Sequence, residues 1–157
     1  RHWTQNRYAF SRRLWQALGI INMKIESTDS KSKIEIIRTG DEGYSSFEVS
    51  VNIDIGHGFF SGCNTDLIFL NLSNFIDEID AFILNRNISP KLNGTYDSFI
   101  QLIKDKRTSA ILVKFKIGDA YCGYSDTIQY SIEGGFEINQ ELLSTILTEA
   151  KKLNNYA

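Results

Sequence analysis

Proline is almost missing from this chain. Pro90 is the only one in 157 residues. There is no low-complexity run either, and at 157 residues one domain, large enough to bury a core, is the expectation. No apolar stretch is long enough to span a membrane. Cysteine is limited to Cys63 and Cys122, which are distant in sequence. Two such thiols do not make a disulfide framework, so a reduced, cytoplasmic protein is expected, although a single bridge stays open. What is present is ordinary for a globular protein: 42% hydrophobic and 23% charged residues, with aromatics somewhat high at 12%.

Positive charge is scarce in the body of the chain. Residues 1–22 hold Arg1, Arg7, Arg12 and Arg13 and no acid. The rest has 13 basic and 19 acidic residues, a net charge of −6. An acidic body argues against nucleic acid, because phosphate binding needs clustered Lys and Arg. It suits a basic protein partner, or solubility alone. Phe10, Leu14, Ala17 and Ile21 have helical spacing among the arginines, which fits a segment binding an acidic surface or a membrane. The only methionine is Met23, a natural start. Residues 1–22 are therefore read as an added or upstream extension, and 23–157 as a single domain.

Within that domain the patterning is β-rich. Ile34 to Arg38 is a short strand candidate after a polar linker at 27–33. Asp41-Glu42-Gly43 has turn chemistry. From Phe47 to Ile55, apolar residues alternate strictly with polar ones, which predicts a strand with one buried and one wet face in antiparallel pairing. Gly56, Gly58 and Gly62 read as turns or bulges, followed by a strand from Asp66 to Leu70. Asn71 reads as an N-cap, with Leu70 and Phe75 at staple spacing. Leu72, Phe75, Ile76, Ile79, Phe82 and Ile83 form a helical stripe. Asn93-Gly94 is a turn signal. Strands are then expected at Tyr96–Ile103, Ala110–Ile117 and Thr127–Ile138. Asn139 is the expected cap of a closing helix, with Ile138 and Leu143 at staple spacing. The fold expected is α+β: one largely antiparallel sheet with two amphipathic helices on one face. Strands followed by a helix would occur twice, over residues 33–87 and 95–154.

Chemistry-bearing residues are few. His57 lies six residues before Cys63, but a Cys–His pair needs an orienting third group, and none is in sight; a structural turn is the stronger reading. His57, Cys63 and Cys122 lack the paired spacing of a zinc site. The glycines around His57 match neither a phosphate loop nor a dinucleotide fingerprint. Asp77, Glu78 and Asp80 fall on the polar face of the first helix, as solvated surface or, less readily, a metal or acid–base cluster. The two acids nearest its start would sit well with the helix dipole. The segment Gly118 to Asp126 stands apart. It joins two strands and holds Asp119, Tyr121, Tyr124 and Asp126. Ordered tyrosines beside acids suit a binding surface for a basic partner. Capping of a sheet edge is an equal reading. Asp41, Glu42 and Tyr44 repeat the motif on a smaller scale.

Several of these stretches carry a resemblance. They are the segment GFFSGCNTDLIFL with its Gly58-Phe59 and Gly62, the helix SNFIDEIDAFI, the turn LNGTYDSF, the strand SAILVKFKIG, and the ending at Phe136 to Ile138 with the helix that follows. Over residues 33–154 the chain resembles the WapI-type immunity proteins of bacterial polymorphic toxin systems. The resemblance implies a non-catalytic protein without cofactors, which docks on a cognate, possibly basic toxin domain and blocks its active site. It does not say which surface binds. A general interaction or ligand-binding domain, with a deep apolar pocket beside the glycine turn, is the alternative. A Cys/His enzyme is the third possibility.

Overall fold

The computed structural model describes residues 22–39 and 46–154. The segment 1–21 and the Asp41, Glu42 and Tyr44 turn lie outside the described residues. The elements are β1 (Asn22–Glu26), β2 (Lys33–Arg38), β3 (Ser46–Asp54), β4 (Phe59–Ile68), α1 (Leu72–Leu84), β5 (Lys91–Asn93), β6 (Phe99–Lys104), β7 (Ile111–Cys122), β8 (Thr127–Ile138) and α2 (Leu142–Asn154). The class is α+β and all strand pairing is antiparallel. The strands divide into two four-stranded meanders, β1-β2-β3-β4 and β5-β6-β7-β8, instead of forming one sheet. Four strands and then a helix occur in each half; this likeness of order does not establish a repeat.

Alternation accounts for most strands. Phe47, Val49, Val51 and Ile53 are buried along β3, as its pattern predicts. The strand stops at Asp54, so Ile55, expected on the buried face, is 63% exposed. β1 alternates over too few residues to stand out in the sequence, yet Met23 and Ile25 are fully buried against β2. β4 begins at Phe59, well before the expected Asp66. Among the described residues only Gly56, at φ 86°, uses the left-handed freedom of glycine. Gly62 lies within β4, where an added Cβ would meet Ile132 Cγ2 at 2.8 Å. β4 thus packs face-on against β8.

The helix starts differ from expectation. The Asn71 side chain makes no cap bond. Its Oδ1 accepts from Asn93 N–H at 2.7 Å and its Nδ2 donates to the Lys91 carbonyl at 2.9 Å. The residue that resembled a cap ties the start of α1 to β5. Leu70 is 67% exposed, so no staple forms with the buried Phe75. The first turn of α1 holds no acid, and Asp77 and Glu78 fall in the second. α2 begins at Leu142, and Asn139 contributes only its carbonyl, to Leu142 N–H at 3.1 Å. The helices pack on each other, α1 also against β5 and α2 against β1. Buried Arg38 donates to the Leu153 carbonyl at 3.3 Å, a cation at a helix C-terminus where free carbonyls need donors. One cluster links the inner faces of both sheets with Phe75, Phe82, Ile146 and Leu153 of the helices. Burial of each large side chain stabilises by about 1.5–3 kcal/mol.

Among the described residues the sheets join at an isolated bridge, Phe69 to Gly94, and at a buried knot around Gly118. The β5–β6 turn centres on Tyr96 and Asp97, at φ 58° and 56°, instead of on Asn93-Gly94. Ser98 N–H closes it to the Thr95 carbonyl at 3.1 Å. Gly118 N–H donates to Ser98 Oγ at 2.9 Å, and its carbonyl accepts from Asn64 Nδ2 at 2.8 Å.

Candidate protein-interaction surface

The β7–β8 hairpin is longer than the body that supports it. Its register is unbroken from Ile111↔Ile138 to Cys122↔Thr127. One face begins as core: Ile111, Val113, Phe115 and Ile117 opposite Ile138, Phe136, Gly134 and Ile132. The same face then runs into solvent as Asp119↔Tyr130 and Tyr121↔Ile128. Tyr121 is 62%, Ile128 49% and Tyr130 60% exposed. β6 pairs no further along β7 than Lys116, so the outer hairpin lacks that neighbour.

The expected loop of Gly118 to Asp126 is therefore mostly strand. Only Gly123 to Asp126 turn, closed by Gly123 N–H donating to the Asp126 carbonyl at 2.8 Å. Asp119 and Asp126 hold local backbone amides, Ala120 N–H at 2.7 Å and Thr127 N–H at 2.9 Å. Tyr124 is fully exposed at the tip. The four residues Asp119, Tyr121, Tyr124 and Asp126 come together at one end of one hairpin. Ile128 and Tyr130 join them, although their alternation reads as core.

At its base this face meets β4. A cleft of about 210 Å³ lies between them, lined by Gly62, Asn64, Ile117, Asp119, Tyr130 and Ile132 among others. Phe60 on β4 is 54% exposed. The charge is one-sided. Residues 117–150 contain six acids and no Lys or Arg, and residues 39–85 eight acids and no Lys or Arg. These stretches include β4 and β8, so carboxylates dominate around the exposed aromatics.

The other candidates are dispersed. His57 is exposed in the β3–β4 turn, while β4 carries Cys63 on the order of 15 Å away at strand rise. Cys63 is exposed and its thiol faces Glu48 Oε1 at 3.8 Å. Cys122 is exposed at the end of β7, and neither cysteine forms a disulfide among the described residues. Asp77 and Asp80 are exposed on α1 and Glu78 is half-buried. Among the described residues, no three His, Cys, Asp or Glu side chains group as a metal site. A second cleft, about 560 Å³, lies beside Gly56 and is lined by Asp29, Lys31, Ile53, Asp54, Phe136 and Glu137 among others. There the Ser27 hydroxyl and the Lys31 N–H hold the Asp29 carboxyl below its usual pKa. Among the described residues no helix is long and apolar enough to cross a membrane.

Compared with family models, curated proteins and solved structures, the chain matches none.

Proposed function

We propose that this protein is a cytoplasmic immunity protein that binds a cognate toxin domain and blocks its active site, without chemistry of its own. The observation that carries the reading is the outer face of the β7–β8 hairpin, where Tyr121, Ile128 and Tyr130 stand exposed with Asp119 and Asp126. Aromatics at a rigid site supply contact area at low entropic cost. Carboxylates around them steer a basic partner and can take the places of substrate phosphates on a nuclease. The resemblance to WapI-type immunity proteins supports the same role.

The test is reconstitution with the toxin domain encoded beside this gene. The expected result is a tight complex that abolishes toxin activity, with an association rate that falls as salt rises. Tyr121→Ala and Tyr130→Ala should each weaken the complex roughly tenfold or more, as truncation of buried interface aromatics does. A neighbouring toxin that neither binds nor is inhibited refutes the reading. A small-ligand domain, the second reading, would be favoured by a deep apolar pocket beside the glycine turn; the cleft there is lined by Asp29, Lys31, Asp54 and Glu137 among others.

A further inference from the structure

We infer that the outer edge of β8, from Thr127 to Glu133, is a strand-addition site for an extended basic segment of a protein partner. The partner's identity as a toxin rests on the reading above; the edge itself rests on the geometry of the hairpin.

Among the described residues β8 is the last strand of its sheet and pairs only with β7. Two contacts fix which backbone groups look outward. The Glu137 carbonyl accepts from Thr28 N–H at 3.0 Å, away from β7. Gly123 N–H donates to the Asp126 carbonyl at the other end, which places even-numbered residues on the β7 side. The register between these points has no shift. The N–H and C=O groups of Gln129, Ser131 and Glu133 therefore point outward. They make no hydrogen bond among the described residues, and all three residues are exposed.

Edge strands are usually blunted by Lys, Pro, a bulge or a covering element. The other edges here are guarded. β1 carries Lys24 and lies against α2, where Lys24 N–H donates to Glu149 Oε2 at 3.3 Å. β5 has only three residues and is tied to Asn71. β4 packs on β7 and β8, and its end is closed by Thr95 and Asn93. β8 contains no Lys and no Pro, and Thr28 covers only its Glu137 end.

The edge also selects its occupant. A strand of about seven residues added here would set alternate side chains beside Ile128 and Tyr130 on one face. On the other it would meet Gln129, Ser131 and Glu133. Glu133 on this face is opposed on β7 by Lys116. The face of Ile128 and Tyr130 adds Asp119 and Asp126, and no Lys or Arg lies between residues 117 and 150. Basic residues in the added strand would therefore be attracted by the surrounding carboxylates and acids repelled. The matching segment alternates apolar with basic residues.

The experiment uses two probes on the full chain: the neighbouring toxin domain, and a nine-residue peptide alternating Val and Lys. Amide exchange is read by NMR. Both probes should slow exchange at Gln129, Ser131 and Glu133 by roughly tenfold or more, and a Val/Glu peptide should not. Ser131→Pro removes an outward N–H while leaving the β7 ladder whole, which an edge strand tolerates. It should abolish this protection and weaken toxin binding roughly tenfold or more, with the thermal midpoint and circular dichroism retained. Glu133→Lys, which keeps the backbone intact, should reduce binding of the Val/Lys peptide. If neither probe protects these amides, strand addition is overturned, even where the toxin binds. If the peptide protects them but the toxin does not bind, the toxin reading falls and the edge stands. Protection that grows with protein concentration and needs no probe would assign the edge to a second copy and overturn the basic-partner inference.

Discussion

Replacing Gly118 with alanine tests the buried knot where β7 meets the β5–β6 turn and Asn64 of the other sheet. A Cβ at this position would lie 2.5 Å from the Tyr96 carbonyl oxygen and 3.3 Å from Tyr96 Cβ, where ordinary contact starts near 3.4 Å. Relief requires the turn to move by about 0.9 Å. That turn has little freedom, because Tyr96 and Asp97 both already sit at positive φ and Gly94 N–H holds the Ser98 carbonyl at 2.8 Å. Movement breaks the bond from Gly118 N–H to Ser98 Oγ, or the bond from Asn64 to the Gly118 carbonyl, and both are buried. Overpacking costs about 1–3 kcal/mol, and an orphaned buried polar group about 1–3 more. The lower chain entropy of alanine in the unfolded state returns about 0.4–1 kcal/mol. The expected net loss is about 2–4 kcal/mol, read as a lower urea midpoint at unchanged m, with the thermal midpoint roughly 6–15 °C lower. Gly123→Ala is the control: its Cβ would come no closer than 3.2 Å to a carbonyl at an open hairpin tip, and it should cost less than about 1 kcal/mol. A Gly118→Ala protein within about 0.5 kcal/mol of wild type would refute the claim that this close contact between β7 and the β5–β6 turn locks the knot.

Two further outcomes follow from the same structure. Asn71→Ala should lose about 1–3 kcal/mol in denaturant, since two backbone groups of β5 lose their partner; Asn71→Ser, equivalent for a helix cap, should not restore it, and full rescue by Ser would refute the strand-tying role. Glu149 is pushed above its ordinary 4.5, chiefly by burial and against the opposing Lys24 N–H and Lys152. The folded state then holds this proton more tightly than the unfolded state, so the contribution is complete at low pH and is lost as pH rises through the carboxylate range. Glu149→Gln, whose amide oxygen still accepts from Lys24 N–H, should flatten that part of the pH–stability curve and leave the protein at least as stable at neutral pH; a variant that loses stability there and keeps the wild-type slope contradicts the assignment.

Legibility in the sequence tracked the range of the forces involved. The alternation in Phe47–Ile53 and the stripe Leu72–Phe82 each report which way a local backbone turns its side chains, and both elements are present. Asn71 read as a cap because asparagine just ahead of a helical stripe commonly is one, but its side-chain amide found a strand 20 residues onward, which no local pattern encodes. Gly62 read as a turn or bulge and Gly118 as the start of a loop. Both are strand residues: the missing Cβ of Gly62 admits Ile132 of the other sheet, and that of Gly118 admits the Tyr96 turn, 22 residues earlier in its own sheet. In the candidate surface, Asp119, Tyr121, Tyr124 and Asp126 were visible as an aromatic–acidic cluster. Ile128 and Tyr130 were not, because alternation continues unchanged past the point where the covering elements stop.

The sequence by itself determined the class of the molecule: β-strands from period-two burial, two helices from their apolar stripes, and an acidic body. These depend on neighbours a few residues apart and on total charge. Only the tertiary structure decided that the strands form two sheets, that Asn64, Ser98 and Gly118 knot them together, and that the apolar face of β7–β8 outruns its cover. Those features depend on which distant segments share space, and so on burial and backbone hydrogen bonding that exist only once the chain has closed.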